Sequence, residues 1–287
     1  MKNLQYYLKK AQKEKWAIGQ FNFSDLSQLE GIIEAAKKLK SPIILGTSEG
    51  ESRFLGLKQA VALKEAYQSE IGLPVFLNLD HGKSFEYLRK AIGIGYDMVH
   101  FDGSRLPLKD NIAETKEVVR CAKKAGVLTE GEVGVIGTDA SKLYEGKFIL
   151  KPEDLTNPKE SEQYIKETGV DGLAVSIGNF HGVSIKGNPK LDTERLKQIR
   201  KLIKESFLVL HGGSGIKKQD IKKAIKLGIV KININTELRL AYTKTLKKAL
   251  QINPKETTPY KYLPSAIRAV QKVVEEKILL FGSKNKI

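Results

Sequence analysis

The 287-residue chain has one cysteine, Cys121, so no internal disulfide can form and nothing calls for an oxidising compartment. None of its apolar runs approaches the roughly 20 residues that a membrane-spanning helix needs. The opening Met1-Lys2-Asn3-Leu4-Gln5-Tyr6-Tyr7 lacks the apolar core of a secretory signal, and the expected location is the cytoplasm. Aromatic residues are 7% of the chain and are not interleaved with basic clusters, and no Pro-, Gly- or Ser-rich linker divides it. Charge is not scarce: the net formal charge is +16. Its lysines are spread along helical stretches, as in Lys37-Lys38, Lys123-Lys124, Lys217-Lys218 and Lys222-Lys223, the pattern of solvated helix faces rather than of a nucleic-acid or membrane patch. Hydrophobic residues, at 41%, suffice for a core.

Short β-rich apolar runs alternate with longer amphipathic segments. The expected strands are Ala17–Phe23, Pro42–Ser48, Pro74–Asp80, Asp97–Asp102, Val127–Gly134, Gly172–Gly178, Phe207–Gly212 and Lys231–Thr236. Helical periodicity fills the intervals, for example Ser27–Leu39, Ser84–Ile94, Asn111–Ala125 and Thr193–Glu205. Strands separated by helices of this length are parallel, and eight such units in under 300 residues predict an α/β fold: a (β/α)8 TIM barrel in a single domain, 1–287. Segment 238–287 reads as a C-terminal helical extension, with helices Leu238–Gln251 and Ser265–Phe281. Two long interruptions, Val135–Pro158 and Phe180–Asp192, have the length of functional loops.

Histidine is also scarce, and its placement is informative. Of four, His81, His181 and His211 fall at or just after the C-terminal ends of predicted strands, the face where barrels build active sites. Three imidazoles from separate strands make an open zinc site with a position left for water or substrate, whereas singly each would be an ordinary loop histidine. His100, inside a strand, reads as a structural residue facing the barrel wall or the helix layer. The segments His211-Gly212-Gly213-Ser214-Gly215 and Asn233-Ile234-Asn235-Thr236 follow the last two strands, where backbone N–H groups commonly cradle phosphate. Asp80 directly precedes His81, as a proton donor beside a metal or as a carboxylate orienting an imidazole. Asp102, Glu130 and Glu132 lie near strand ends too, the two glutamates being equally readable as ion-pairing or metal-linked.

Together these motifs, with Leu79-Asp80-His81-Gly82, Asp102-Gly103-Ser104, Glu130-Gly131-Glu132-Val133-Gly134 and Gly178-Asn179-Phe180-His181-Gly182 in order, closely resemble the class II, zinc-dependent ketose-bisphosphate aldolases. The resemblance runs from about Leu4 to Ser283, and Leu45-Gly46-Thr47-Ser48-Glu49-Gly50 looks like the bacterial fructose-bisphosphate branch. It implies a carbon–carbon lyase cleaving fructose 1,6-bisphosphate to dihydroxyacetone phosphate and glyceraldehyde 3-phosphate in glycolysis and gluconeogenesis. His81, His181 and His211 would hold the zinc, Glu132 would mark an alternative metal position, and a monovalent cation would sit near the substrate. Asp80 would handle the proton of the aldehyde-derived half. Gly182, Gly212, Gly213, Ser214, Asn233 and Thr236 would bind the triose phosphate, and Ser48 and Arg239 would lie near the distal phosphate. Asn235 would help read sugar stereochemistry. Family members form homodimers or homotetramers.

Two departures stand out. The loop after the fifth strand reads Gly137-Thr138-Asp139-Ala140-Ser141, leaving Asp139 or Glu145 as candidates for the triose base. Near the C-terminus, Thr258-Pro259-Tyr260-Lys261 replaces a pattern that carries a phosphate-binding arginine, with Lys261 as its stand-in. Rival readings are a tagatose 1,6-bisphosphate enzyme, a Schiff-base aldolase and a basic nucleic-acid-binding protein. The Schiff-base rival is disfavoured because Lys231, placed at the start of the last strand, would lie at the wrong pole.

Overall fold

The computed structural model describes residues 2–137, 142–146 and 150–287. Its strands are β1 (Ile18–Asn22), β2 (Ile43–Ser48), β3 (Val75–Gly82), β4 (Met98–Phe101), β5 (Leu128–Val133), β6 (Leu143–Tyr144), β7 (Gly172–Val175), β8 (Val183–Ser184), β9 (Phe207–Leu210) and β10 (Ile229–Ile234). Eight of them close a parallel barrel in the order β1-β2-β3-β4-β5-β7-β9-β10, and β10 pairs back onto β1. The (β/α)8 barrel expected from the sequence is the fold of the chain.

Alternation along each strand decides what the barrel holds. Outward residues such as Leu45, Leu77, Val99, Leu173 and Ile232 pack under the helices as one continuous core. Inward residues grade from apolar to polar along the barrel axis. At the strands' N-terminal end, Ile18, Ile44, Phe76, Met98, Phe207 and Val230 meet Leu4, Tyr7, Leu8 and Ala11 of the helix Leu4–Glu14, which plugs the bottom. Two and four residues further on, the inward positions become Gln20 and Asn22 in β1, Asn78 and Asp80 in β3, His100 in β4, and Glu130 and Glu132 in β5, and in β10, where the register shifts between Ile229 and Lys231, they are Lys231 and Asn233, all buried. Burying that many polar groups is costly unless each is paired, so the upper barrel is built for function rather than stability.

The segment read as a C-terminal extension is in part barrel wall. Helix Pro264–Phe281 packs along helix Leu26–Leu39 and against β1. The backbones meet at Gly31, where a Cβ would lie 2.7 Å from Ile267 O, so only glycine permits this approach. β10 starts at Ile229, placing Lys231 inside the strand and inside the barrel, not at its opening pole as the sequence reading had it. The short helix Glu49–Leu55 was not anticipated. It is set by a capping box in which Ser48 Oγ accepts from Glu51 N and Glu51 Oε2 accepts from Ser48 N, and this outweighs Gly50 in its first turn. The two long interruptions also join: β6 and β8 pair in parallel, Leu143 opposite Val183 and Tyr144 opposite Ser184.

Candidate active site and metal centre

A cavity of about 990 Å³ opens at the C-terminal mouth of the barrel. His81, His181 and His211 reach its floor from the end of β3, the segment after β7 and the end of β9. Their ring nitrogens converge: His81 Nε2 lies 2.9 Å from His181 Nε2 and 2.9 Å from His211 Nδ1. Nitrogens bound tetrahedrally to zinc at about 2.0–2.1 Å would sit roughly 3.3 Å apart, only a few tenths wider. His81 adopts φ 52°, a left-handed conformation that costs a non-glycine residue on the order of 1 kcal/mol or more. The strain follows the register shift between β3 and β4 after Leu79, which turns the ring into the cavity.

The outer nitrogens of His81 and His211 are held by carboxylates. His81 Nδ1 is 3.0 Å from Asp102 Oδ2, and Asp102 Oδ1 accepts from Ser104 Oγ at 2.7 Å. His211 Nε2 bonds Glu130 Oε1, while Glu130 Oε2 accepts from the fully buried Lys231 Nζ at 2.8 Å. An ionised carboxylate only accepts, so each of these outer nitrogens carries its proton and each inner nitrogen presents a lone pair. Two lone pairs facing each other at 2.9 Å repel unless one positive charge sits between them. That charge can be a metal ion or a second proton on one ring. Burial opposes charge on His81, yet Asp80 and Asp102 outweigh it and hold the ring up at about 10. Burial, with His81 next to it, pushes His181 down to about 4 and His211 well below its usual range. The centre holds one cation's worth of charge, and its donor set fits a divalent metal.

Glu130 was equally readable as an ion-pairing or a metal-linked residue; it pairs with Lys231 and also bonds the outer nitrogen of His211. In Glu130→Gln, the Lys231 ammonium is left uncompensated in the barrel, and stability falls by about 3–5 kcal/mol in denaturant unfolding. Zinc affinity, read by competition with a chromophoric chelator, drops about 10–100-fold because His211 loses its anchor. Adding Lys231→Met to that variant restores most of the stability but not the zinc affinity.

Asp80 lies beside this centre, its Oδ2 accepting from Asn22 Nδ2 at 2.9 Å and its Oδ1 from Asn233 Nδ2 at 3.0 Å. Burial works against its charge, but His81, His211 and Lys231 hold it well below the usual carboxylate range. Asn22 is itself fixed: Asn78 Nδ2 donates to Gln20 Oε1, and Gln20 Nε2 donates to Asn22 Oδ1. This relay leaves both Asn22 amide hydrogens for acceptors, and Asn22 Nδ2 also reaches Glu51 Oε2 at 3.0 Å. The sequence reading passed over Asn22 and Glu51. The signal for Asn22 was present as polar residues two apart, Gln20 and Asn22, in an otherwise apolar strand, whereas Glu51 sits in the unanticipated helix Glu49–Leu55.

His100 was expected in the barrel wall or helix layer, but it lies in the interior beneath the site. Its Nδ1 accepts from His81 N at 3.2 Å, and its ring is 4.7 Å from those of both His81 and His211. Burial is the main force keeping it neutral, down to about 3. Its Nε2 lies 3.6 Å from Glu132 Oε2, and neither atom has a hydrogen-bond partner among the described residues. Burial, then the Asp102 charge, raises Glu132 well above the carboxylate range. Glu132, Asp102 and His81 bring ligand atoms within 4.8 Å of one another, in keeping with a metal-linked place for Glu132.

Ser48, Gly182, Gly212, Ser214, Asn233, Asn235, Thr236 and Arg239 all line the cavity. Gly212 has φ 58°, and a Cβ there would lie 2.2 Å from Phe180 O, so this turn needs glycine. Gly213 stands behind the wall, its N–H donated to Asn233 O at 3.0 Å. Glu145 is exposed and Asp139 lies outside the described residues. Arg53, Lys83, Arg105 and Lys142 add positive charge to the mouth, unforeseen in the sequence. Lys261 pairs with Glu256 at 3.5 Å, away from the cavity wall.

The family model for fructose-bisphosphate aldolase class II matches residues 2–286. The chain belongs to this family. It is 40% identical over 281 residues to a Bacillus subtilis relative, across 97% of this chain and 96% of the relative. A Thermus caldophilus protein named fructose-bisphosphate aldolase is also 40% identical, over 96% of each chain. Among solved structures, the YdjI aldolase of Escherichia coli K12 superposes with TM-score 0.83 at 31% identity, covering 100% of this chain and 99% of that one. Family membership makes the protein an aldehyde-lyase and gives metal dependence to a centre whose geometry already fits one. Among the described residues, no helix is long and apolar enough to cross a membrane.

Proposed function

We propose that the protein cleaves fructose 1,6-bisphosphate reversibly to dihydroxyacetone phosphate and glyceraldehyde 3-phosphate, with zinc held by His81, His181 and His211. The observation that carries this reading is the convergence of three imidazole nitrogens, two of the rings carboxylate-anchored, beside Asp80 on the floor of a wide polar cavity. When bound, zinc polarises a carbonyl oxygen as a Lewis acid. The remaining steps fall to the chain's own groups. Asp80, kept ionised and pinned by Asn22 and Asn233, takes the proton from the substrate's C4 hydroxyl in cleavage and returns it in condensation. Gly182, Gly212 and Ser214, with Thr236 opening the helix Thr236–Ile252, cradle the triose phosphate through backbone N–H groups and hydroxyls; a monovalent cation belongs nearby. Gly213 supports that cradle from behind. Ser48 and Arg239 receive the distal phosphate, aided by the positive mouth. Asn235 reads the sugar's stereochemistry, Glu132 offers the alternative metal position, and Asp139 or Glu145 moves the triose proton.

The test is cleavage of fructose and tagatose bisphosphates side by side, before and after EDTA treatment and zinc addition. The expected result is preference for the fructose sugar, complete loss with EDTA and recovery with zinc. Activity that survives EDTA but is killed by borohydride in the presence of substrate overturns the reading in favour of a lysine Schiff base. Burial of Lys231 against Glu130 speaks against that rival.

A further inference from the structure

Glu51 is more than the capping residue of a short helix. A capping box requires one exchange with Ser48, yet both oxygens of this carboxylate are drawn toward the site. Oε2 accepts from Ser48 N at 2.8 Å and from Asn22 Nδ2 at 3.0 Å, and Oε1 accepts from Asn235 Nδ2 at 3.0 Å. These donors come from the ends of β1, β2 and β10, so three strands fix one side chain. Among the described residues no cation pairs with it, although it lines a cavity whose mouth carries five basic side chains. A carboxylate offers about four lone-pair sites, and three are taken. The fourth, on Oε1, is left for a donor in the cavity. Burial, reinforced by the nearby Asp80 charge, raises the carboxyl above its usual range, and a substrate hydroxyl would relieve that cost.

Position defines the donor. Asn22 Nδ2 contacts Glu51 Oε2 and Asp80 Oδ2, so these two oxygens stand no more than about 6 Å apart, with Oε1 on the same Glu51 carboxylate. Neighbouring hydroxyls on adjacent carbons, each donating over about 2.7 Å, bridge a gap of that width. A phosphate would meet two carboxylates there and be repelled.

The geometry points to Glu51 as a specificity-determining residue that accepts a hydrogen bond from the hydroxyl next to the reacting carbon of the aldehyde half, while Asp80 serves the reacting oxygen. This rests on the aldolase reading and adds a substrate requirement to it: a free hydroxyl at that carbon. A site built around a hydroxyl rejects the analogue that lacks it, because its acceptor is then left unpaired.

The test runs in the condensation direction with the full-length, zinc-loaded protein and dihydroxyacetone phosphate. Two aldehydes are compared, D-glyceraldehyde and 3-hydroxypropanal, which differ only in that hydroxyl. The wild type is expected to favour glyceraldehyde by about 100-fold in kcat/KM. Glu51→Gln, which keeps the side chain's shape and one carbonyl acceptor, should lower the ratio about 10-fold, and Glu51→Ala should bring it near unity. Each ratio is taken within one preparation, so losses of folded or metal-loaded protein cancel, and the glutamine variant serves if the alanine one does not fold. Variants that keep the wild-type ratio overturn this inference alone. A wild type that condenses neither aldehyde overturns the aldolase reading, and this inference with it.

Discussion

His211→Ala should leave a protein that is folded, nearly free of zinc and nearly inactive. The imidazole supplies one of three inner nitrogens, and the neighbouring His100 Nδ1 is already occupied by the His81 N–H. Loss of an outer carboxylate alone costs about 10–100-fold in metal affinity, and loss of the ligand itself should exceed that. Without Lewis-acid assistance, cleavage falls on the order of 10³–10⁴-fold. The fold should survive because Glu130 keeps its bond to Lys231 when the ring is gone. Metal stoichiometry by elemental analysis, read beside steady-state cleavage, checks both claims. One zinc per chain with ordinary turnover would remove His211 from the ligand set.

Much of the barrel was legible because its signal is local. Each strand is a short apolar run, and each helix that follows carries the helical period, so eight repeats and their order could be read directly. Boundaries were less legible, and one mattered. Placing the last strand at Lys231 rather than Ile229 moved a fully buried lysine from the middle of the barrel to its rim. Only the pairing partner could correct that, because Ile18 sets the register opposite Lys231. Helix Pro264–Phe281 was visible as a helix, but its place in the wall depends on the approach at Gly31, a contact between residues far apart in sequence.

The site divides in the same way. Its three histidines and Asp80 sit at strand ends, and topology alone brings strand ends together, so they could be singled out in advance. The partners that give them chemical character could not. Which carboxylate anchors which ring depends on the barrel's register, which puts Glu130 beside His211 and Asp102 beside His81. His100 looked like an ordinary strand residue because its neighbours Val99 and Phe101 face outward into the apolar core. The inward side of the same strand belongs to the site.

Asp80→Ala is the variant that separates proton transfer from metal binding. Asp80 contacts Asn22 and Asn233, and its nearer oxygen is 3.8 Å from His211 Nδ1, beyond hydrogen-bond range. Removing it should therefore leave zinc close to one per chain. It also removes the group kept ionised beside the reacting oxygen, and a positioned acid–base group is worth about 10²–10⁴-fold in rate. Cleavage should fall by that factor with KM changed far less, since the role proposed for Asp80 is on a proton in motion rather than on the phosphates. Exchange of the dihydroxyacetone phosphate proton, which proceeds without making or breaking the carbon–carbon bond, should fall much less than cleavage. Equal losses in the two reactions would instead make Asp80 a general support of the metal centre. Unchanged cleavage would leave the C4 proton to another group on the cavity floor.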